Sequence, residues 1–227
     1  MKKILFATVF GVLGISFGAL ANEYKLDEVK KCDGTKLESY TDIFECSSCP
    51  DICDLNGSSI SGTLTTEFFF DTLTIPYENG KKEGIQKQNH KNGKLASEAL
   101  YKDGKIEGVK KDYRDDGSVS YEASFKNGKL DGHAIHYYAD GKLETDIVYK
   151  DGERDGLSRV YYKDGTLFFE TTYKDGKMDG IQTIYYYPKD KVLKQEKEYK
   201  DDQFVTTRYY DENGNEVDEK TFTRMRM

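Results

Sequence analysis

Tryptophan is absent from these 227 residues, and proline and histidine occur only three times each. Cysteine is confined to Cys32, Cys46, Cys49 and Cys53. Each scarcity removes a class of function. Without tryptophan, sugar binding would fall to tyrosine alone. The three histidines are His90, His133 and His136. His133 and His136 are three apart, so on a strand they point to opposite faces and cannot share a metal. No nucleophile-base pair, phosphate loop or metal-ligand set stands out, and the chain reads as non-catalytic with no cofactor. Long apolar runs are missing too. Ile4 to Phe17 is the longest, short of the roughly 20 residues that a spanning helix needs.

That run follows Lys2 and Lys3 and precedes Ala19-Leu20-Ala21, a small-x-small cleavage site. Residues 1–21 therefore read as a secretory signal peptide, and the chain as exported to the periplasm, cell surface or medium. Without them, 32 Lys and Arg stand against 41 Asp and Glu, a net charge of −9. Such acidity disfavours nucleic acid and anionic membrane surfaces as partners.

What is abundant is glycine, 21 residues, and aromatics, 18 Tyr and 12 Phe. The glycines keep strict time. Gly80, Gly104, Gly128, Gly152 and Gly176 recur every 24 residues, with companions at Gly84, Gly108, Gly132, Gly156 and Gly180. A second series runs Gly93, Gly117, Gly141 and Gly165. Asn or Asp precedes each member of the first and second series, and Asn-Gly and Asp-Gly are the strongest short-range hairpin signal. Spacings of 13 and 11 leave two strands of about six residues per unit, too short for helices.

Period-two alternation marks a sheet buried on one face only. Leu95, Val119, Leu143 and Leu167 begin one side, which closes on Tyr101, Phe125, Tyr149 and Tyr173. Val109, Leu157 and Ile181 stand just after the companion glycines on the other strand. An acidic column, Glu98, Glu122, Asp146, Glu170 and Glu196, recurs with the period. Its plain reading is cross-strand pairing with lysine or tyrosine, Lys102, Lys126, Lys150, Lys174 and Lys200 being at hand. The alternative is a ladder for a cation or glycan.

Residues 22–54 form a separate Cys-rich N-terminal cap, with Leu26, Val29 and Lys30 suggesting a short helix. Four cysteines in an exported chain read first as two disulfides, of three connectivities. Cys46-Ser47-Ser48-Cys49 also has metal-ligand spacing, and a redox pair is the third reading. Residues 55–76 look like a worn copy of the repeat, as terminal repeats commonly are. An insertion at Tyr187 to Lys191 shifts the later register, Val217 to Phe222 closes a last hairpin, and residues 223–227 read as a frayed tail. The array thus spans 55–222.

The sentence Tyr-Lys-Asp-Gly-Lys-x-Asp-Gly, then Tyr-Tyr-x-Asp-Gly-x-Leu, then Glu before a closing Tyr, resembles the MORN-repeat variant of bacterial proteins. Some of these are grouped as antitoxin-like repeat proteins. The resemblance runs over roughly residues 77–222. It implies an all-β, elongated single-layer antiparallel sheet of stacked β-hairpins, and binding or scaffolding rather than catalysis.

The functional expectation is an exported, non-catalytic protein-interaction or scaffold module with a protein partner. Envelope-polymer or carbohydrate binding through tyrosine rows is the alternative, and an antitoxin- or immunity-like role follows from the resemblance alone. The fixed slots specify the sheet, so a binding surface is expected in those that vary: Lys87, Lys111, Ile135, Arg159 and Thr183, with Tyr138, Tyr162 and Tyr186 beside them.

Overall fold

A computed structural model describes residues 22–24, 29–31, 52–54, 58–68, 71–187 and 192–227. For 22–24, 29–31, 52–54, 66–68 and 71 the description is of the backbone. The expected signal peptide, Cys32, Cys46 and Cys49, the Cys53 side chain and the inserted Pro188 to Lys191 lie outside the described residues.

The glycine timing becomes an antiparallel meander. Gly62–Phe68 pairs with Asp71–Glu78, which pairs with Gly84–Asn89, and the chain continues through Leu95–Lys102, Gly108–Tyr113 and Val119–Lys126. Lys129–Tyr137, Leu143–Lys150, Gly156–Tyr161, Leu167–Lys174, Lys177–Tyr186, Leu193–Lys200 and Gln203–Tyr210 follow in order. Asn22–Tyr24 lies parallel to Gly62–Phe68 on the opening edge. The whole is one open sheet of stacked hairpins. Val29–Lys31 and Ile52–Asp54 pair as a separate two-stranded sheet, so the helix suggested around Leu26 to Lys30 is replaced, at Val29–Lys31, by a strand.

The two turns of each repeat solve the same problem differently. At the first, both central residues take positive φ, as at Asp103 (49°) and Gly104 (76°), the type I′ geometry that matches strand twist. At the second, glycine alone does so; Asn92, Asp116, Asp140 and Asp164 keep negative φ. Their side chains instead accept the backbone N–H two residues on, 2.9 Å for Lys94 to Asn92 and 2.8 Å for Thr166 to Asp164. Asn and Asp therefore serve backbone strain at one turn and a side-chain-closed turn at the other.

Neighbouring hairpins are stitched at these turns. Gly104 N–H donates to the Lys82 carbonyl at 2.9 Å, Gly128 to Ile106, Gly152 to Leu130 and Gly176 to Arg154. The acid before each companion glycine adds a second stitch: Glu83, Glu107, Asp131 and Asp155 accept from the backbone N–H of Asp103, Asn127, Asp151 and Asp175. At the opposite turns, Arg114 donates to the Tyr137 carbonyl, and the Tyr138 hydroxyl to the Tyr161 carbonyl at 2.7 Å.

The ends are finished with apolar burial. Ile60, Leu64, Leu73, Ile75 and Tyr77 close the N-terminal end. At the other end Glu219–Arg226 is a helix (α1), where the sequence suggested a strand to Phe222 and a frayed tail. Asp218 caps it, accepting from Thr221 N–H at 3.0 Å, and Arg224 and Arg226 lie in its last turn, where cations favour the helix dipole. Its Phe222 is buried against the Tyr186 and Tyr209 rings.

Candidate interaction face

Side chains on alternate residues, and on directly opposed residues of adjacent strands, share a face. That rule makes the acidic column and the variable slots one continuous row. Lys87 opposes Glu98, Lys111 opposes both Glu98 and Glu122, and Ile135 opposes Glu122 and Asp146. Arg159 opposes Asp146 and Glu170, Thr183 opposes Glu170 and Glu196, and Arg208 extends the row beyond Glu196.

Within the row the acids are already partnered. Lys111 reaches Glu122 at 3.4 Å and Arg159 reaches Glu170 at 3.2 Å. Tyrosines two residues further along the same face donate to acids on the preceding strand pair: Tyr113 to Glu98 at 2.7 Å, Tyr137 to Glu122 at 2.5 Å, Tyr185 to Glu170 at 3.1 Å and Tyr210 to Glu196 at 3.0 Å. Burial, reinforced by these glutamates, pushes Tyr113, Tyr137 and Tyr185 up to about 12. The break comes at Asp146, one methylene shorter than glutamate, which takes His133 at 2.6 Å instead. The cross-strand pairing expected of the acids is present, but its cations are Lys111 and Arg159 from the variable slots, with His133 on Asp146 and Lys194 on Glu196, and not the periodic lysines.

Those lysines form a row of their own. Lys102, Lys126, Lys150 and Lys174 lie on the same face, exposed, and their ammonium groups make no ion pair among the described residues. Only Lys200 is tied, to Asp179 at 2.6 Å.

Between the lysines and the charge ladder runs an apolar row that the sequence reading did not single out as a site. Ile85, Val109 and Ile181 are 52, 48 and 41% exposed, and Leu100, opposite Ile85, is 43% exposed. Half-buried Val148 and Leu157 continue the row, and His133, Ser124 and Thr172 interrupt it. The usable signal was the period itself: four of the five slots Ile85, Val109, His133, Leu157 and Ile181 are apolar. Alternation then sets them opposite to the Tyr101, Phe125, Tyr149 and Tyr173 side.

The tyrosines expected beside the variable row each hold a partner within the chain. Tyr138 stitches to the next repeat, as above. Tyr162 stacks between Phe168, at 4.7 Å, and Tyr187, at 6.2 Å. Tyr186 carries Phe222 at 5.6 Å and Arg226 at 4.1 Å and donates to Gln195 at 3.1 Å. His133 and His136 do fall on opposite faces, the latter against Tyr121 at 4.5 Å. Among the described residues no three His, Cys, Asp or Glu side chains gather as a metal site, and no helix is long and apolar enough to cross a membrane.

Comparison with known proteins bears on the repeat itself. None of the curated proteins matches this chain. A solved structure, the Glycosylation Associate Protein (Gap123) complex from Streptococcus agalactiae, matches over 58% of this chain and 25% of its own at 16% identity, with a TM-score of 0.28. This chain thus spans about a quarter of that protein's length. The family model of the MORN repeat variant matches residues 82–103, 130–151 and 154–175. The matched segments coincide with copies of the hairpin whose turns and stitches are described above, and the array is one of MORN-variant repeats.

Proposed function

We propose that the protein is an exported, non-catalytic interaction or scaffold module that holds a protein partner on the face carrying Ile85, Leu100, Val109, Leu157 and Ile181. The carrying observation is the exposure of an apolar slot at the repeat period. Exposed apolar side chains scattered singly need no explanation, whereas a contiguous or ordered set marks a contact surface. The glycine, acid and tyrosine slots around it are accounted for by turns, stitches and ladder pairs, and this slot has no such structural duty. Export rests on the basic start, the apolar run and the Ala-Leu-Ala site within residues 1–21.

The test is cross-linking in the native host, comparing the wild type with a Val109→Glu, Ile181→Glu double variant. A saturable partner captured from the envelope or culture fluid, and lost in the variant, is the expected result. Substrate turnover by purified protein with no such partner would sink the reading. Export is checked by mass: the chain recovered from the envelope or medium begins at Asn22.

A further inference from the structure

The proposed reading leaves open what lies on the apolar row, and the geometry narrows it. One hairpin advances the array by two strand spacings, roughly 10 Å. One heptad of α-helix advances by about 10.5 Å. A helix lying across the strands therefore matches the repeat in rise, one heptad position to each copy, with a turn of about 20° per heptad that a gentle supercoil takes up. An extended segment in the same place would cross the strands with its own N–H and C=O groups facing side chains, unable to join the ladder. A helix brings its backbone hydrogen bonds with it.

Charge then orients the occupant. On one flank the ladder acids are already held by Lys111, Arg159, His133 and the tyrosines. On the other flank Lys102, Lys126, Lys150 and Lys174 repeat at the same period, exposed, their ammonium groups in no ion pair among the described residues and Lys174 within electrostatic reach of Asp179. The acids nearest that flank, Glu83, Glu107, Asp131 and Asp155, are engaged by turn amides. Positive charge is thus concentrated along one side of the apolar row. We infer that this face receives an amphipathic α-helix of a partner protein, laid perpendicular to the strands, with an apolar residue each heptad on Ile85, Val109, Leu157 and Ile181 and an acidic flank against the lysine row. This rests on the interaction reading above and deepens it.

The probe is a synthetic amphipathic helix of about 28 residues, four heptads, with leucine at the a and d positions and glutamate along one flank. Three controls accompany it: the same peptide with a lysine flank, one with a central proline, and one bearing the leucines at a three-residue period. Titration of the mature chain, followed by anisotropy, is expected to show saturable binding of the glutamate-flanked helix alone. Binding should weaken about tenfold or more with Lys126→Glu, Lys150→Glu and with Val109→Glu, Ile181→Glu, each variant keeping the wild-type circular dichroism. Equal binding of both flanks, undiminished binding of the proline peptide, or no binding at all overturns the helix. Failure here is separable from failure of the wider reading. A native partner lost with Val109→Glu, Ile181→Glu, whose bound segment proves extended, would keep the interaction face and discard the helix.

Discussion

Lys82 and Arg154 occupy the same slot of the repeat, two residues past a first-turn glycine, and live in different solvents. Each lies over the closing tyrosine of the next copy, Lys82 at 4.3 Å from the Tyr101 ring centre and Arg154 at 5.2 Å from that of Tyr173. Yet Lys82 is 1% exposed, donating to Gln86 at 2.7 Å, whereas Arg154 stands in water. The repeat unit is the same and the surroundings are not. At the N-terminal end Ile60, Leu64, Leu73, Ile75 and Tyr77 make a core. Between Gly108 and Tyr187 the buried residues are Ala123, Ala134, Ser158, Thr171 and Thr183, none of them large. The middle is held by ladder bonds and turn stitches, each repeat relying on its neighbours. The end is held by apolar burial.

The sharpest way to break that contrast is truncation within the core. Ile75→Ala removes buried methylenes from a site with no access to water and should cost about 4 kcal/mol, read as a lower urea midpoint with unchanged slope. A loss under about 1 kcal/mol would mean that the N-terminal end is as lightly packed as the middle.

Lys82 gives the next largest effect, and its sign depends on pH. Burial pulls its ammonium down to about 7, from an ordinary 10.5. Between these values the unfolded chain binds the additional proton, so stability rises with pH through that window. Below about 7 the residue is protonated in both states, and the penalty for burying the charge is fully present. Lys82→Met should therefore stabilise the protein at pH 6, by on the order of 3 kcal/mol, and the gain should shrink toward pH 10. Denaturation midpoints of both proteins at pH 6, 8 and 10 decide it. A gain independent of pH would show that Lys82 keeps its ordinary basicity and stays charged in the folded protein throughout.

Much of this was legible beforehand, for a physical reason. Glycine, Asn and Asp at fixed spacing are demanded by backbone geometry, so the hairpins, their order and the acidic column could be read from the letters. The slot of Lys82 holds Ile106, Leu130 and Met178 in later copies, and its inward position follows from the period too. Four things were not legible. The duty of Asn92 and Asp116 depends on which turn type they enter, which the dipeptide does not reveal. Lys102 and its equivalents were expected to serve the acids, but they sit four residues along the strand from them, beyond reach of the pairing supplied by Lys111 and Arg159. The helix Glu219–Arg226 escaped because the period was carried past its end, although Asp218 and the Arg224 and Arg226 pair are ordinary helix-end signals. Most important for function, the letters of Val109, Leu157 and Ile181 show an apolar slot but not that it faces water, which depends on how the strands pair.

Gly132, opposite the register shift between Ala123 and Phe125, offers a finer probe. Gly132 has φ of 111°, and a Cβ there would meet Ser124 Cβ at 3.0 Å; Gly93 has φ of 80° and nothing within 4 Å. Gly132→Ala should cost about 2 kcal/mol and Gly93→Ala about 1, the difference reporting the close approach of strands in the middle of the array. Equal losses would assign both effects to backbone conformation and remove close approach as a feature of the stitched region.

The smallest expected effect carries the most for function. Ile181→Ala makes the same chemical change as Ile75→Ala, at a side chain 41% exposed instead of wholly buried. Its methyl groups already touch water in the folded chain, and its neighbour across the strand is Glu198, so truncation should alter stability by no more than about 0.5 kcal/mol. The pair of substitutions separates two reasons for an apolar residue to recur. If the periodic isoleucine and valine slot exists to pack the sheet, Ile181→Ala will approach the cost of Ile75→Ala. If stability is untouched while binding of the partner falls, the slot is retained for something outside the chain, and the array is a surface whose fold is secured elsewhere, at its turns and its N-terminal end.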